Sequence, residues 1–296
     1  MRKLLAIDVG GTFTKYAVVT GEHFFEIIEH DKIPTTRTNH EDFLESLTNI
    51  FKANDDVEGL ALSMPGLIDT EQGVCISSGV LNFCNGHCVA EELQGMCAGI
   101  PVTVENDANC AALAEVKSGS LVDVDDAFVL VFGTAVGGAF IHDGKIYRGA
   151  HHCAGEVSFT LTNINATMNE ENIYGNEISA LAFQRTCAKI LGKQHVSGEL
   201  VFDLINRNDN DMCAALNKFA HGVAVKIFNL QMLFDPERFA LGGGISAQPK
   251  FIVAVQAQID ELSKNALPYL PRPEVVACKY HNDANLFGAL YRHLDK

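Results

Sequence analysis

Apolar residues are distributed along this chain with two different periods, and the changes between them mark out its elements. Residues 4–9 form a continuous apolar, β-compatible run. Gly10-Gly11-Thr12 turns it, residues 14–20 return as a second strand, and beyond Gly21 residues 24–33 read as a third. Residues 39–53 change to the helical period, with Phe43, Leu47, Ile50 and Phe51 on one face. Residues 57–62 read as a buried strand, broken by Ser63-Met64-Pro65-Gly66. Residues 68–79 are polar and punctuated by glycine, as a short hairpin or loop is. Residues 89–97 predict a helix stopped by Gly99. A short strand at 101–104 then runs into Glu105-Asn106-Asp107-Ala108-Asn109, and a helix over 108–117 leaves it.

The second half starts with the same pattern. Residues 127–132 are a strand, Gly133-Thr134 a turn, 136–142 a returning strand, Asp143-Gly144 a tight hairpin signal and 145–148 a third strand. Residues 151–176 are irregular. Helices are predicted over 177–191, after a Ser197 cap, and over 209–234, where Asp235-Pro236 ends the run. A strand at 238–241 feeds Gly242-Gly243-Gly244, followed by a helix at 251–264, a strand at 274–278 and a last helix at 284–294. The repeat lies in the order of elements rather than in the letters. It predicts two α/β halves closing on a cleft.

Charge narrows the choice of ligand. The net charge of -15 over 296 residues argues against a nucleic-acid or anionic-membrane partner. A polyanionic ligand would need local devices: backbone N–H groups, a metal ion, one or two cations. No apolar run is long enough for a signal peptide or a membrane span. Nine scattered cysteines are an odd set, most simply reduced thiols in the cytoplasm. Cys84, Cys88 and Cys97, with His87 nearby, match no compact structural zinc spacing.

Asp107 falls where a strand ends and a helix begins. There it can be a helix cap, a common place for Asp. It can also be an ionised base, since the helix N-terminus favours negative charge. Gly10, Gly11 and Thr12 would let a backbone approach phosphate, with Asp8 holding Mg²⁺ through water and Lys15 acting as a point charge. A plain hairpin turn is the other reading. Gly133, Thr134 and Gly137 make a second such turn, and glycines inside a strand mark close approach of a ligand or of backbone. Gly243 lies in a flat triplet able to hold an adenine or ribose, or in an ordinary strand-to-helix turn. Glu156 and the carboxylates of 170–177 could take sugar hydroxyls, although most loop carboxylates are simply solvated. His151 and His152 read as surface residues.

Together these stretches resemble the ROK family of sugar kinases and repressors nearly end to end. The likeness rests on residues 8–12, 105–109, 133–138, 149–156 with Ala154-Gly155-Glu156 at their core, 241–246 and 283–289. It implies the duplicated actin/hexokinase-like (ribonuclease H-like) α/β fold, divided into 1–116 plus 284–296 and 117–283. It implies Asp107 as catalytic base, Asn106 and Glu156 as sugar ligands, and Glu171 as a further one, with Glu177 the runner-up. It places Gly10, Gly11, Thr12, Lys15, Gly133, Thr134 and Gly137 on the phosphate side and Gly243 on the nucleoside side of ATP. A homodimer is expected. Where many members carry a His and then a Cys-rich zinc loop, this chain has Phe159 and no Cys between Cys153 and Cys187. That structural zinc is therefore expected to be absent.

The zinc-free pattern looks most like the β-glucoside kinases. Phe159 would then be an apolar wall for a larger sugar, and Ala135 replaces a usual Gly. N-acetylmannosamine kinase, glucokinase and a catalytically weak sugar-binding relative remain alternatives. A DNA-binding repressor is disfavoured, because the chain opens directly on a strand and is acidic.

Overall fold

The computed structural model describes residues 2–21, 25–162, 165, 167 and 172–295. The first half contains β1 (Lys3–Val9), β2 (Phe13–Thr20), β3 (Glu26–Pro34), α1 (His40–Ala53), β4 (Leu60–Met64), β5 (Leu67–Asp69), β6 (Val74–Ser77), α2 (Val89–Met96), β7 (Val102–Asn106) and α3 (Asp107–Ser118). There follow β8 (Ala127–Phe132), β9 (Val136–His142), β10 (Lys145–Tyr147), α4 (Tyr174–Glu177), α5 (Ala180–Ile190), α6 (Gly198–Asn206), α7 (Asn210–Phe234), β11 (Arg238–Gly242), α8 (Pro249–Ser263), β12 (Val275–Ala277) and α9 (Ala284–Leu294). The chain divides into two compact units: Met1–Lys117, Arg148–Cys153 and Asp283–Lys296 in one, Ser118–Tyr147 and Ala154–Asn282 in the other.

In the first unit one sheet has the order β3-β2-β1-β4-β7. β1 pairs antiparallel with β2 and parallel with β4, which pairs parallel with β7. The apolar run of β1 is continuous because both of its faces are covered. Leu5 and Ile7 pack with Phe43, Leu47 and Leu93 of α1 and α2, while Leu4 and Ala6 pack with Cys110, Leu286 and Leu290 of α3 and α9. α3 and α9 cross so closely that a Cβ at Gly288 would stand 1.7 Å from the Cys110 carbonyl oxygen. β3 is exposed at nearly every position, and Glu29, Asp31 and Lys32 give this edge the charges that deter pairing with another chain.

The second unit repeats the plan. Its sheet runs β10-β9-β8-β11-β12, antiparallel across β10, β9 and β8 and parallel across β8, β11 and β12. Phe128, Phe132, Phe219, Phe239 and Phe251 fill its core. α7 ends on Asp235 in the left-handed conformation (φ 46°), immediately before Pro236.

Among the boundaries that differ from the sequence reading, two have a clear side-chain cause. β4 runs through Ser63 and Met64 instead of breaking there, because both pair in register with Glu105 and Asn106 of β7. The buried Ser63 hydroxyl donates to Asp8, so a polar residue can end a buried strand. α5 starts at Ala180 rather than 177. Glu177 closes the separate turn α4, and the Ser179 side chain then caps α5 by accepting from the Ala182 N–H at 3.2 Å.

Candidate functional site

In the first unit the sheet register sets a row of polar groups at the carboxyl ends of the parallel strands, where ligands bind in open α/β sheets. Asp8 of β1 pairs with Ser63 of β4, Ser63 with Glu105 of β7, and Lys15 of β2 stands opposite Asp8. Asp8 is buried. It accepts from Ser63 Oγ at 3.1 Å and from Asn285 Nδ2 at 3.0 Å. Burial pushes its carboxyl above the usual range, against the pull of Asn285, Lys15 and Ser63. A nearby cation would offset that burial, so the environment suits a metal ion held directly or through water.

The turn after β1 is fastened from behind. Gly10 N–H donates to the Phe13 carbonyl at 3.0 Å, Thr35 Oγ1 to the Gly10 carbonyl at 2.7 Å, and Thr35 N–H to the Thr12 carbonyl at 3.0 Å. The Gly10 amide is thus committed to the turn. Gly11 and Thr12 are exposed.

At the end of β7 the cap of α3 is Asn106, not Asp107. Asn106 Oδ1 accepts from the Asn109 N–H at 3.0 Å, while Asp107 is already the first helical residue. Asp107 Oδ1 accepts from its neighbour's amide, Ala108 N–H, at 2.9 Å and from Asn106 Nδ2 at 3.1 Å. Its half-buried carboxylate is therefore held in one orientation beside the strand ends.

Glu105 lies beneath this pair, fully buried. It accepts from the Asn106 N–H at 2.9 Å, from Asn109 Nδ2 at 3.0 Å and from the guanidinium of Arg148, with Arg292 Nε 3.9 Å away. The sequence reading missed Glu105 and Arg148 as a pair. A carboxylate in a buried strand was the available signal, since such a charge needs a partner.

In the second unit Gly133 begins a tight turn, its N–H donating to the Ala135 carbonyl at 3.0 Å. Its own carbonyl accepts from Leu181 N–H of α5 at 3.2 Å. This turn borders a cavity of about 670 Å³ shared by Phe132, Gly133, Thr134, Gln184, Gly244 and Gln248. That volume lies in the range of small-molecule sites. Ala135 is exposed, like Gly133 and Thr134. Gly137, one residue inside β9, pairs with Val131 and is partly buried. Gly243 adopts φ 84°, and a Cβ there would meet the Phe132 carbonyl oxygen at 2.2 Å. Its glycine is required by backbone packing, and Gly244 is the one of the triplet that lines the cavity.

The close approach at Gly138 is also to backbone: a Cβ would stand 2.2 Å from the Gly155 carbonyl oxygen. Ser158 ties the same segment down, donating to the Val136 carbonyl at 2.7 Å and accepting from its N–H at 2.9 Å. Glu156 is thereby fixed against the strand that follows the Gly133 turn. Phe159, three residues on, is 56% exposed, an unusual position for a phenyl ring. Glu171 lies outside the described residues. Glu177, the runner-up, accepts from Thr162 Oγ1 at 3.3 Å.

Burial raises the Glu156 carboxyl above its ordinary value of 4.5. A carboxyl whose folded pKa is raised contributes stability below its unfolded pKa and loses it as pH rises through the folded one. Glu156→Gln is therefore expected to melt at a higher temperature than the parent at pH 7, and the difference should close towards pH 4. Scanning calorimetry at both pH values checks it; an equal difference at both would contradict the desolvation account.

The sequence profile of the ROK family matches residues 4–295. The chain belongs to the ROK family. A β-glucoside kinase of Listeria innocua is 30% identical over 299 residues, covering 99% of this chain and 98% of that protein. A ROK family protein of Streptococcus pneumoniae, solved in complex with sucrose, is 30% identical and superposes with a TM-score of 0.86 over 99% of this chain and 98% of the other. A ROK family glucokinase of Streptomyces griseus, solved with glucose and AMPPNP, shares the fold at a TM-score of 0.85 and 22% identity, over 97% and 98% of the two chains. The repeated sheet order is thus the duplicated actin/hexokinase-like fold, as ROK membership implies. No helix of the described residues is long and apolar enough to cross a membrane.

Proposed function

We propose that this ROK protein is an ATP-dependent sugar kinase that phosphorylates the 6-hydroxyl of a β-glucoside or glucose-type sugar, with Asp107 as general base. Mg²⁺ is its metal, a homodimer its assembly and the cytoplasm its compartment. The observation that carries the reading is the Asp107 carboxylate, oriented by Ala108 N–H and Asn106 Nδ2 at the carboxyl end of β7.

Asp107 takes the proton from the primary hydroxyl as that oxygen attacks the γ-phosphorus, whose bond to the β–γ bridging oxygen breaks to release ADP. Asn106, Glu156 and one of Glu171 and Glu177 hold the sugar. The cavity beside Gly133, Thr134 and Gly244 takes the nucleoside, with Gly243 shaping its wall. Gly11, Thr12, Lys15 and Gly137 serve the phosphates. Asp8 would hold Mg²⁺, which when bound would neutralise charge at the transferring phosphoryl group. Phe159 favours a β-glucoside over a bare hexose, because an exposed ring one turn from Glu156 offers an apolar face to an aglycone or second sugar. The related β-glucoside kinase supports the same preference.

ADP release across glucose, N-acetylmannosamine, N-acetylglucosamine, cellobiose and gentiobiose tests the proposal. Turnover highest with the β-linked disaccharides is expected; release with none of the panel would overturn the kinase reading. In the best substrate, Glu156→Gln should raise the sugar KM by about 10–100-fold, the worth of a hydrogen bond to a charged group.

A further inference from the structure

A cluster in the first unit has no part in the proposed reaction. His40 is the first residue of α1, His87 ends the loop after β6, and Glu92 lies in the first turn of α2. His40 Nε2 is 2.6 Å from Glu92 Oε2, and His87 Nδ1 is 3.2 Å from Glu92 Oε1. The two imidazoles lie nearly face to face, with centroids 3.7 Å apart and planes inclined by 30°. One ligand atom from each of the three residues lies within 4.8 Å of the other two.

We propose that His40, His87 and Glu92 bind a divalent transition-metal ion, best matched by Zn²⁺, which fastens the loop carrying His87 to α1 and α2.

The chemistry of the donors supports this. Two imidazoles and one carboxylate form a familiar three-ligand zinc set, with a fourth position left for water. Tetrahedral bonds of about 2.0–2.2 Å put ligand atoms roughly 3.4 Å apart, and one ligand atom of each residue already lies within 4.8 Å of the other two. The ligands must be deprotonated to bind. His40 Nδ1 is buried without a hydrogen-bond partner among the described residues, so the ring is held through its Nε2 contact with Glu92.

The cysteines considered from sequence are not part of it. Cys84 and Cys97 are fully buried in the apolar core, and burial pushes the Cys84 thiol up to about 12. Cys88 donates instead to the Gln72 carbonyl at 3.1 Å. The site is also separate from the zinc loop expected to be absent after Glu156. The three ligands come from three segments, so one ion would staple the 78–87 loop down. That loop is held now by the Ser78 N–H to Asn85 Oδ1 bond (2.7 Å), the Cys75 N–H to His87 carbonyl bond (3.0 Å) and the packing of Phe83 on Phe43.

The test is calorimetric titration of the metal-stripped full chain with ZnCl₂ at pH 7.5, repeated in excess Mg²⁺. One ion per chain, undisturbed by Mg²⁺, is expected. His87→Asn and Glu92→Gln should each weaken it by at least the roughly 10–100-fold that a mere neighbour of a metal ligand is worth. Cys153→Ser, which removes an exposed thiol, should leave it unchanged. Zinc should slow amide exchange across residues 78–92 in the parent and not in Glu92→Gln. Co²⁺ offers a readout that needs no variant to fold: its spectrum should lack a thiolate charge-transfer band. No binding by the parent, equal binding by both ligand variants, or a thiolate band would each overturn the proposal.

Discussion

Asp107→Asn is expected to lower kcat by about 10²–10⁴-fold while leaving the sugar KM within a few-fold of the parent. The amide keeps an oxygen able to accept the Ala108 N–H bond that now fixes the carboxylate at 2.9 Å, and Asn106 still caps α3. The fold and the melting temperature should therefore barely change. What the amide cannot do is accept a proton from the sugar hydroxyl. The effect should fall on the chemical step, because base removal acts in the transition state rather than on ground-state binding. Steady-state kinetics with the preferred sugar decide the matter. A variant turning over at the parental rate would remove Asp107 from the reaction. A variant with a greatly raised KM and unchanged kcat would make it a sugar ligand only.

The largest stability effect is expected at Glu105. Its carboxylate is fully buried and accepts from Asn106 N–H, Asn109 Nδ2 and Arg148, with Arg292 close by. Glu105→Ala removes the buried partner of an ion pair whose Arg148 is 26% exposed, so the cost should lie above the roughly 1 kcal/mol of exposed pairs and towards the about 3–5 kcal/mol of fully buried ones. Urea unfolding of the parent and variant measures it; a loss below about 1 kcal/mol, typical of exposed pairs, would show the pair to be effectively solvated. The consequence for function follows from position. Glu105 holds the amide of Asn106 and the side chain of Asn109, and Asn106 in turn holds Asp107. Even where Glu105→Ala folds, its kcat should fall if Asp107 is the base, as proposed, because that carboxylate would lose its fixed orientation.

Much of this was legible in the chain. The continuous apolar run at residues 4–9 read as β-compatible, and it is a strand that helices cover on both faces. The strand–turn–strand–turn–strand order at residues 4 and 127 meant a repeated unit, and both sheets have the same order and pairing. Ser197 was read as a cap, and its hydroxyl accepts the Leu200 N–H at 3.1 Å. Such features follow from local rules acting over a few residues. The residues misread were those whose neighbours lie far away. Ser63 looked like a strand breaker until Asp8 supplied an acceptor. Gly243 is a different case: it was read as a nucleoside platform or a strand-to-helix turn, and the Phe132 carbonyl gives its glycine a packing reason.

The sequence by itself determined the α/β elements, their duplication, the position of Asp107 at a strand-to-helix junction and membership of the ROK family, because each depends on local period or on motifs at fixed spacing. Only the tertiary structure decided which groups hold those residues in place. Arg148 reaches Glu105 across 43 residues, and Asn285 reaches Asp8 across 277. His40, His87 and Glu92 meet from three segments that share no motif. No periodicity carries such pairings, since they depend on where whole helices and strands pack. Asp107 itself has the residue type of a cap, but the fold gives the cap to Asn106 and holds the Asp107 carboxylate by the Ala108 N–H and Asn106 Nδ2.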